Sequence, residues 1–213
     1  MTISVTLEQT NQYASTVLGY SSTLAQWSWE RGSTNFVGYT AGQALGAPNV
    51  FAYGDNRQAW AAYPWDGTRE YLSLGFATPV YANGVTVRET QGNGFVYQID
   101  VLDRAGAWHT VWAGVDPTPR VTYTDEVNKT TNAVPVDALF AFPETPYLVT
   151  GVKIYVNTST TSGRREEIDA VTLRGGLPAP GEPPVAANDS YTIGEDAVLM
   201  VEAANGVLSN DTD

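Results

Sequence analysis

Along most of the chain apolar residues return at every second position, the period that sends the side chains of a β-strand to opposite faces. In "ISVTL" this sets Ile3, Val5 and Leu7 on one face, and "YLSLGF", "GVTVRET", "VYQIDVLD", "WHTVWAG", "ALFAF", "YLVTGVKIYV" and "IDAVTLRG" follow the same rule. Turn-forming residues separate these runs, as in "GNG" at 92–94, "DRAG" at 103–106, "DPTP" at 116–119 and "FPETP" at 142–146. The segment "FVYQIDVLDRAGAWHTVWAG" predicts a hairpin through Asp103 to Gly106, with the glycine supplying a positive φ. One turn of helix is expected, in "AGQALGAP", where Pro48 ends it. The pattern predicts an all-β protein of about eight short strands, hence a sandwich or jelly roll.

Alternation stops near 175, where "GGLPAPGEPP" is dominated by glycine and proline and reads as a semi-rigid linker. The remaining "VAANDSYTIGEDAVLMVEAANGVLSNDTD" has one alternating run, at 197–202, and is too short to bury a core of its own. The expected organisation is a first domain over 1–175, a linker over 176–184 and, over 185–213, the opening piece of a second domain.

Charge and composition narrow the function classes. A net charge of −12, from 23 acidic and 11 basic residues, repels phosphate backbones and anionic headgroups, so nucleic acid is not an expected partner. Some of the carboxylates are candidates for gathering around a hard cation such as Ca²⁺. There is no cysteine, which excludes disulfides and thiolate metal sites. No run approaches the length of a membrane span, so membrane insertion is not expected, and "MTISVTLEQTNQYAS" has neither the basic start nor the apolar run of a signal peptide. The chain is then either cytosolic or a piece of a larger secreted protein.

Two stretches resemble known families. Residues 13–175 resemble the discoidin or galactose-binding-like (coagulation factor C-type) superfamily through "AGQALGAPN", "YGDNRQAW", "DGTREYLSLGF", "YANGVTVRET", "AWHTVWAG" and the closing "EEIDAVTLRG". That resemblance implies an eight-stranded jelly-roll β-sandwich, and its members include carbohydrate-binding, lipid-binding and adhesive modules. The closing "PPVAANDSYTIGEDAVLMVEAANGVLSNDTD" resembles the opening third of bacterial cadherin-like, tandem immunoglobulin-type adhesin repeats, which implies a multidomain parent, secreted or at the cell surface.

The first resemblance also implies a structural Ca²⁺, wrapped by the loop before the first core tryptophan. Asp55 stands five residues before Trp60, at a usual ligand position, and Gln58 stands where threonine is common. Tyr53 departs from the family, in which many members carry a first aspartate there.

A physical reading of "EEIDAVTL" supports the same place. Alternation sets Glu167, Asp169, Val171 and Leu173 on one face, and Ile168, Ala170 and Thr172 on the other. On either choice of inward face, Glu166 or Glu167 lies at the strand's entrance beside apolar residues, where an unpartnered carboxylate costs several kcal/mol. Its cation is either Arg164, Arg165 or Arg57, or the Ca²⁺ held by Asp55, Gln58, Glu166 and Glu167 with carbonyls of the 53–59 loop.

Enzyme chemistry is not expected. The one histidine, His109, sits inside a predicted strand with nothing in the sequence to organise it as a base, and no nucleophile elbow, zinc-protease motif or phosphate loop occurs. Binding remains, and the aromatics point to where. Trp60, Tyr71, Phe76 and Phe140 stand in core-like contexts, whereas Trp27, Trp29, Tyr63 and Trp65 lie in polar loops. Such rings either close the end of the sandwich or stack on the C–H face of a sugar while polar neighbours take its hydroxyls. The candidate ligand-binding set is Trp65, Tyr63, Trp29, Arg69, Arg88, Glu89 and Asn93, with Arg31 beside it. Two functions follow: a carbohydrate- or glycoconjugate-binding or adhesive module alongside other domains of its parent, or a structural spacer with no small ligand of its own.

Overall fold

The computed structural model describes residues 8–25, 38–64, 66–125, 130–159, 165–178, 188, 190–196 and 198–201. The chain divides into two compact units, Met1–Leu177 and Pro178–Asp213. The described residues of the second unit carry no helix or strand. The expected strand over residues 3–7 lies outside the described residues.

The first unit is a jelly-roll β-sandwich. Its described strands are β1 (Gln9–Tyr13), β2 (Thr16–Tyr20), β3 (Trp60–Ala61), β4 (Arg69–Gln91), β5 (Val96–Asp103), β6 (Trp108–Ala113), β7 (Thr122–Asp125), β8 (Thr130–Ala133), β9 (Val136–Ala141), β10 (Leu148–Asn157) and β11 (Glu167–Gly176). The predicted helical turn is a 3₁₀ helix, Ala41–Ala44.

The runs "YLSLGF" and "GVTVRET" are parts of one strand. β4 has 23 residues, and its register shows that it serves two layers. Its first part pairs with β2 up to Gly75 and with β10 as far as Tyr81, and its second pairs with β11 and β9 from Tyr81 and Gly84 onward. Between them the pairing with β10 slips, a bulge that lets the strand bend over. One layer is then β2–β4–β10–β5–β6 and the other β1–β11–β4–β9, with antiparallel pairing throughout.

Alternation along each strand fills the space between the layers. Leu72, Leu74, Ile99 and Ile154 from one side meet Val85, Val87, Phe140 and Leu173 from the other, all essentially without solvent contact. Burying each such side chain contributes about 1.5–3 kcal/mol. Trp60 closes the core at one end, its indole N–H donating to the Ser22 carbonyl at 3.2 Å. Tyr71, expected in the core, instead stands half-buried on the outer face, with Lys153 Nζ 5.3 Å from its ring.

Strands β1 and β2 were not legible as strands. "QTNQY" carries no apolar alternation because β1 is an edge strand, and it pairs residue for residue with β11 from Gln9↔Gly176 to Tyr13↔Thr172. Alternation in β11 is also broken. Asp169 is skipped in the pairing of Ile168 with Glu89 and Ala170 with Arg88, so Ile168 joins Val171 and Leu173 in the core. The two-face division expected for 167–173 therefore fails at this bulge.

The β5–β6 hairpin turns as predicted, with Gly106 at φ +86° and its N–H on the Asp103 carbonyl. His109 is better organised than the sequence indicated. Its Nε2 lies 2.6 Å from Asp103 Oδ2, and its ring stacks on Tyr147 at 4.4 Å. This pair stands at the turn, at the far end of the sandwich from the loops described next.

Candidate functional site at the loop end of the sandwich

Antiparallel register brings the start of β4, its end, the starts of β5 and β11 and the end of β10 to one end of the molecule. The 53–59 loop folds over this end. It is held by the Gly54 N–H on the Thr90 carbonyl at 3.0 Å and by Tyr53, whose hydroxyl accepts the Gly92 N–H at 3.1 Å. Tyr53, the departure from the family pattern, therefore ties this loop to the 92–95 loop. Arg120 lies over its ring at 5.3 Å.

Asp55 accepts hydrogen bonds from Tyr39 and forms an ion pair with Arg165. Burial pushes its carboxyl up, but the Tyr39 hydroxyl and the Arg165 guanidinium outweigh that and hold it below the usual range. Tyr39 is pushed up to about 12, by burial first and then by its bond to Asp55. Tyr39 also has φ +54°, an uncommon conformation for a bulky side chain. It is pinned there by its N–H on the Arg57 carbonyl and by Thr23, whose hydroxyl donates to the Tyr39 carbonyl at 2.6 Å.

Glu167 enters the sandwich fully buried. Its Oε2 accepts the Asn56 N–H at 3.0 Å, while Oε1 is buried with no hydrogen-bond partner. Desolvation, opposed by the Asn56 bond and reinforced by the Asp55 charge, raises its pKa to about 9. Glu166 is buried beside it. Arg165, one of the arginines expected to face this acidic pair, forms an ion pair with Asp55. Gln58 is exposed, and its backbone N–H donates to Asn56 Oδ1. Among the described residues no three acidic or histidine side chains converge tightly enough to hold a metal ion by themselves.

Glu89 corrects the expectation that it would touch a ligand. It is fully buried, with Oε2 accepting Asn93 Nδ2 at 3.2 Å and the Gly94 N–H at 3.1 Å. Burial and the neighbouring Asp116 charge raise its pKa to about 9. It acts as an anchor for the 92–95 loop. Asp116 holds the other side by accepting the Val96 N–H at 3.2 Å and the Thr118 N–H at 2.9 Å. Tyr39 lies in no motif, and Asp116 was read only as the first residue of the "DPTP" turn, so neither was expected at this site.

Arg69 is exposed at the same end, its guanidinium 5.0 Å from the Tyr97 ring. Tyr63 is half-buried there, its N–H donating to Ser22 Oγ at 3.0 Å. Arg88 is not part of this end and lies on the outer face of the β1–β11–β4–β9 layer. Trp27, Trp29, Arg31, Trp65 and Arg164 lie outside the described residues.

No family model matches the sequence, and no curated protein matches it. Solved structures do. Reduced XRCC1 bound to the DNA polymerase β catalytic domain matches at 13% identity, over 78% of this chain and 99% of that chain, with TM-score 0.50. The family 32 carbohydrate-binding module of C. perfringens NanJ in complex with galactose matches at 13% identity, over 78% and 99%, with TM-score 0.45. The corresponding module of AlyQ in complex with 4,5-unsaturated mannuronic acid matches at 14% identity, over 76% and 96%, with TM-score 0.42. The first of these likenesses shows a shared fold, in keeping with the jelly-roll β-sandwich of the first unit.

Proposed function

We propose that residues 1–177 form a non-catalytic carbohydrate-binding or adhesive module, stiffened by a structural Ca²⁺, within a larger secreted or cell-surface protein. The observation that carries the reading is the construction of the loop end. Two loops are locked onto buried carboxyls, and this leaves Arg69 and Tyr63 on a rigid rim. Polar groups fixed beside aromatic faces suit a hydroxylated ring.

Ca²⁺ fits the unpartnered Oε1 of Glu167, with Asp55 and Glu166 as the neighbouring carboxylates. Loop carbonyls would complete the oxygen shell, since the acidic side chains alone are too few. Such an ion supplies positive charge where a buried carboxyl lacks a partner, and it requires Arg165 to yield part of Asp55. Glu89 and Glu167, both without solvent contact, cannot reach a glycosidic bond, which favours binding over hydrolysis.

A glycan array probed with the 213-residue chain tests the reading. Saturable binding to at least one glycan is expected, weakened about tenfold or more in Arg69→Ala and Trp65→Ala. Silence across the array would favour the structural-spacer function.

A further inference from the structure

The outer face of the β1–β11–β4–β9 layer carries a cavity of about 280 Å³, on a different surface from the loop end. Its floor comes from the two central strands, where Ala170 and Thr172 lie beside Thr86. Larger side chains stand at the edges, Tyr13 on β1 and Asp137 on β9. Small residues in the middle and large ones outside turn a flat sheet face into a trough. Across Gly84 the Arg174 guanidinium lies flat, fixed by Asn83 Oδ1 at 2.8 Å, on the same face.

The chemistry of the trough is polar and only partly used. Arg88 is held rigidly, with Nη1 on both oxygens of Asp137 at 3.0 and 3.1 Å, Nε 3.5 Å from the buried Asp169, and Nη2 on the Val50 carbonyl at 3.3 Å. Among the described residues the side chains of Asn11, Thr86 and Thr172 make no hydrogen bond, so their donors and acceptors face the cavity unspent. Two aromatic faces are also available. Tyr13 is 45% exposed, and Phe51 is 76% exposed with its ring 6.0 Å from the Arg88 guanidinium.

Each feature narrows the ligand. An anion is disfavoured, because the one cation in the lining already faces two carboxylates. An apolar ligand would leave the hydroxyl and amide groups unpaired. The volume, near the lower limit for small-molecule pockets of about 300 Å³, suits a single ring.

We infer that this trough is a second binding site, taking one neutral sugar ring. Asn11, Thr86, Thr172 and Asp137 meet its hydroxyls, and Tyr13 lies against its C–H face. The choice of a sugar rests on the reading of the module as a glycan binder, but the site is separate from the loop end.

Backbone amide NMR of the 213-residue chain tests it, with galactose, glucose, mannose and N-acetylglucosamine as probes and galacturonate as the charged control. Saturable shifts at the amides of Asn11, Thr86 and Thr172 are expected with at least one neutral sugar and not with galacturonate. Thr86→Trp, which fills the floor, should weaken that binding about tenfold or more, and Asn11→Ala by a smaller factor. Arg69→Ala should leave it unchanged. If Thr86→Trp loses its dispersed spectrum, Asn11→Ala decides. Saturable shifts confined to Gln58, Asn93 and Gly94 would overturn the trough and leave the loop-end reading standing. Shifts in the trough alone would do the reverse, and no saturable shift at either place would overturn both.

Discussion

The most telling single residue is Glu89. A carboxyl raised to about 9, chiefly by burial and then by Asp116, keeps its proton in the folded state over a range in which the unfolded chain releases it. Between roughly pH 4.5 and pH 9 the folded state therefore binds more protons, so this group makes stability fall as pH rises. Melting of the whole chain at pH 5 and pH 8 should show a higher Tm at the lower pH. Glu89→Gln, neutral throughout, should reduce that difference while keeping the acceptor for Gly94, with Glu167, also raised to about 9, supplying the remainder. An unchanged pH slope in the variant would mean that Glu89 does not carry the effect. The sequence offered Glu89 only as a polar neighbour of a ligand. Its neighbours in space, Asp116 and the Gly94 N–H, come from loops whose closure alternation does not encode.

Among the elements, β11 decides most. Its bulge at Asp169 turns that carboxylate toward the loop after the 3₁₀ helix, where Oδ2 accepts the Asn49 and Val50 N–H groups at 3.0 and 3.1 Å and faces Arg88. Asp169→Ala would strand two backbone donors and leave the half-buried Arg88 guanidinium one partner short. The expected loss is about 3 kcal/mol, measured by urea unfolding. A loss below about 1 kcal/mol would show that water replaces the carboxylate. The same bulge explains why period-two reading predicted the existence of the strand and missed its phase. One unpaired residue shifts every side chain beyond it to the other face.

At the scale of the molecule, a Ca²⁺ shared by Asp55 and the Glu166–Glu167 pair would tie an early loop to the last strand of the sandwich. Binding to the native state alone stabilises it by about 2.7 kcal/mol at a hundredfold excess over Kd. EDTA should then lower Tm by roughly 5–10 °C, with Ca²⁺ restoring it better than Mg²⁺ and Asp55→Ala abolishing the response. Equal melting in EDTA and in millimolar Ca²⁺ would leave the site to ion pairs such as that of Arg165 with Asp55. Limited proteolysis probes the organisation of the chain: cleavage is expected within 176–184, leaving a resistant fragment that contains the sandwich. Resistance of that stretch would contradict the linker reading.

By itself the sequence determined the all-β class, the β5–β6 hairpin with Gly106 at its turn, most of the core strands, and a buried carboxylate at the start of "EIDAVTL", whose meeting with the Asp55 loop only the family resemblance implied. These are legible because side-chain period, turn chemistry and the cost of a buried carboxylate act locally or within one strand. Tertiary structure alone decided that β4 serves both layers, that Glu89 is an anchor, that Arg165 takes Asp55, and that Asn11, Thr86 and Arg88 line one trough. Each of those depends on register between strands distant in sequence. A slip of one residue sends a side chain to the opposite face, and no local pattern records which slip the packed sandwich selects.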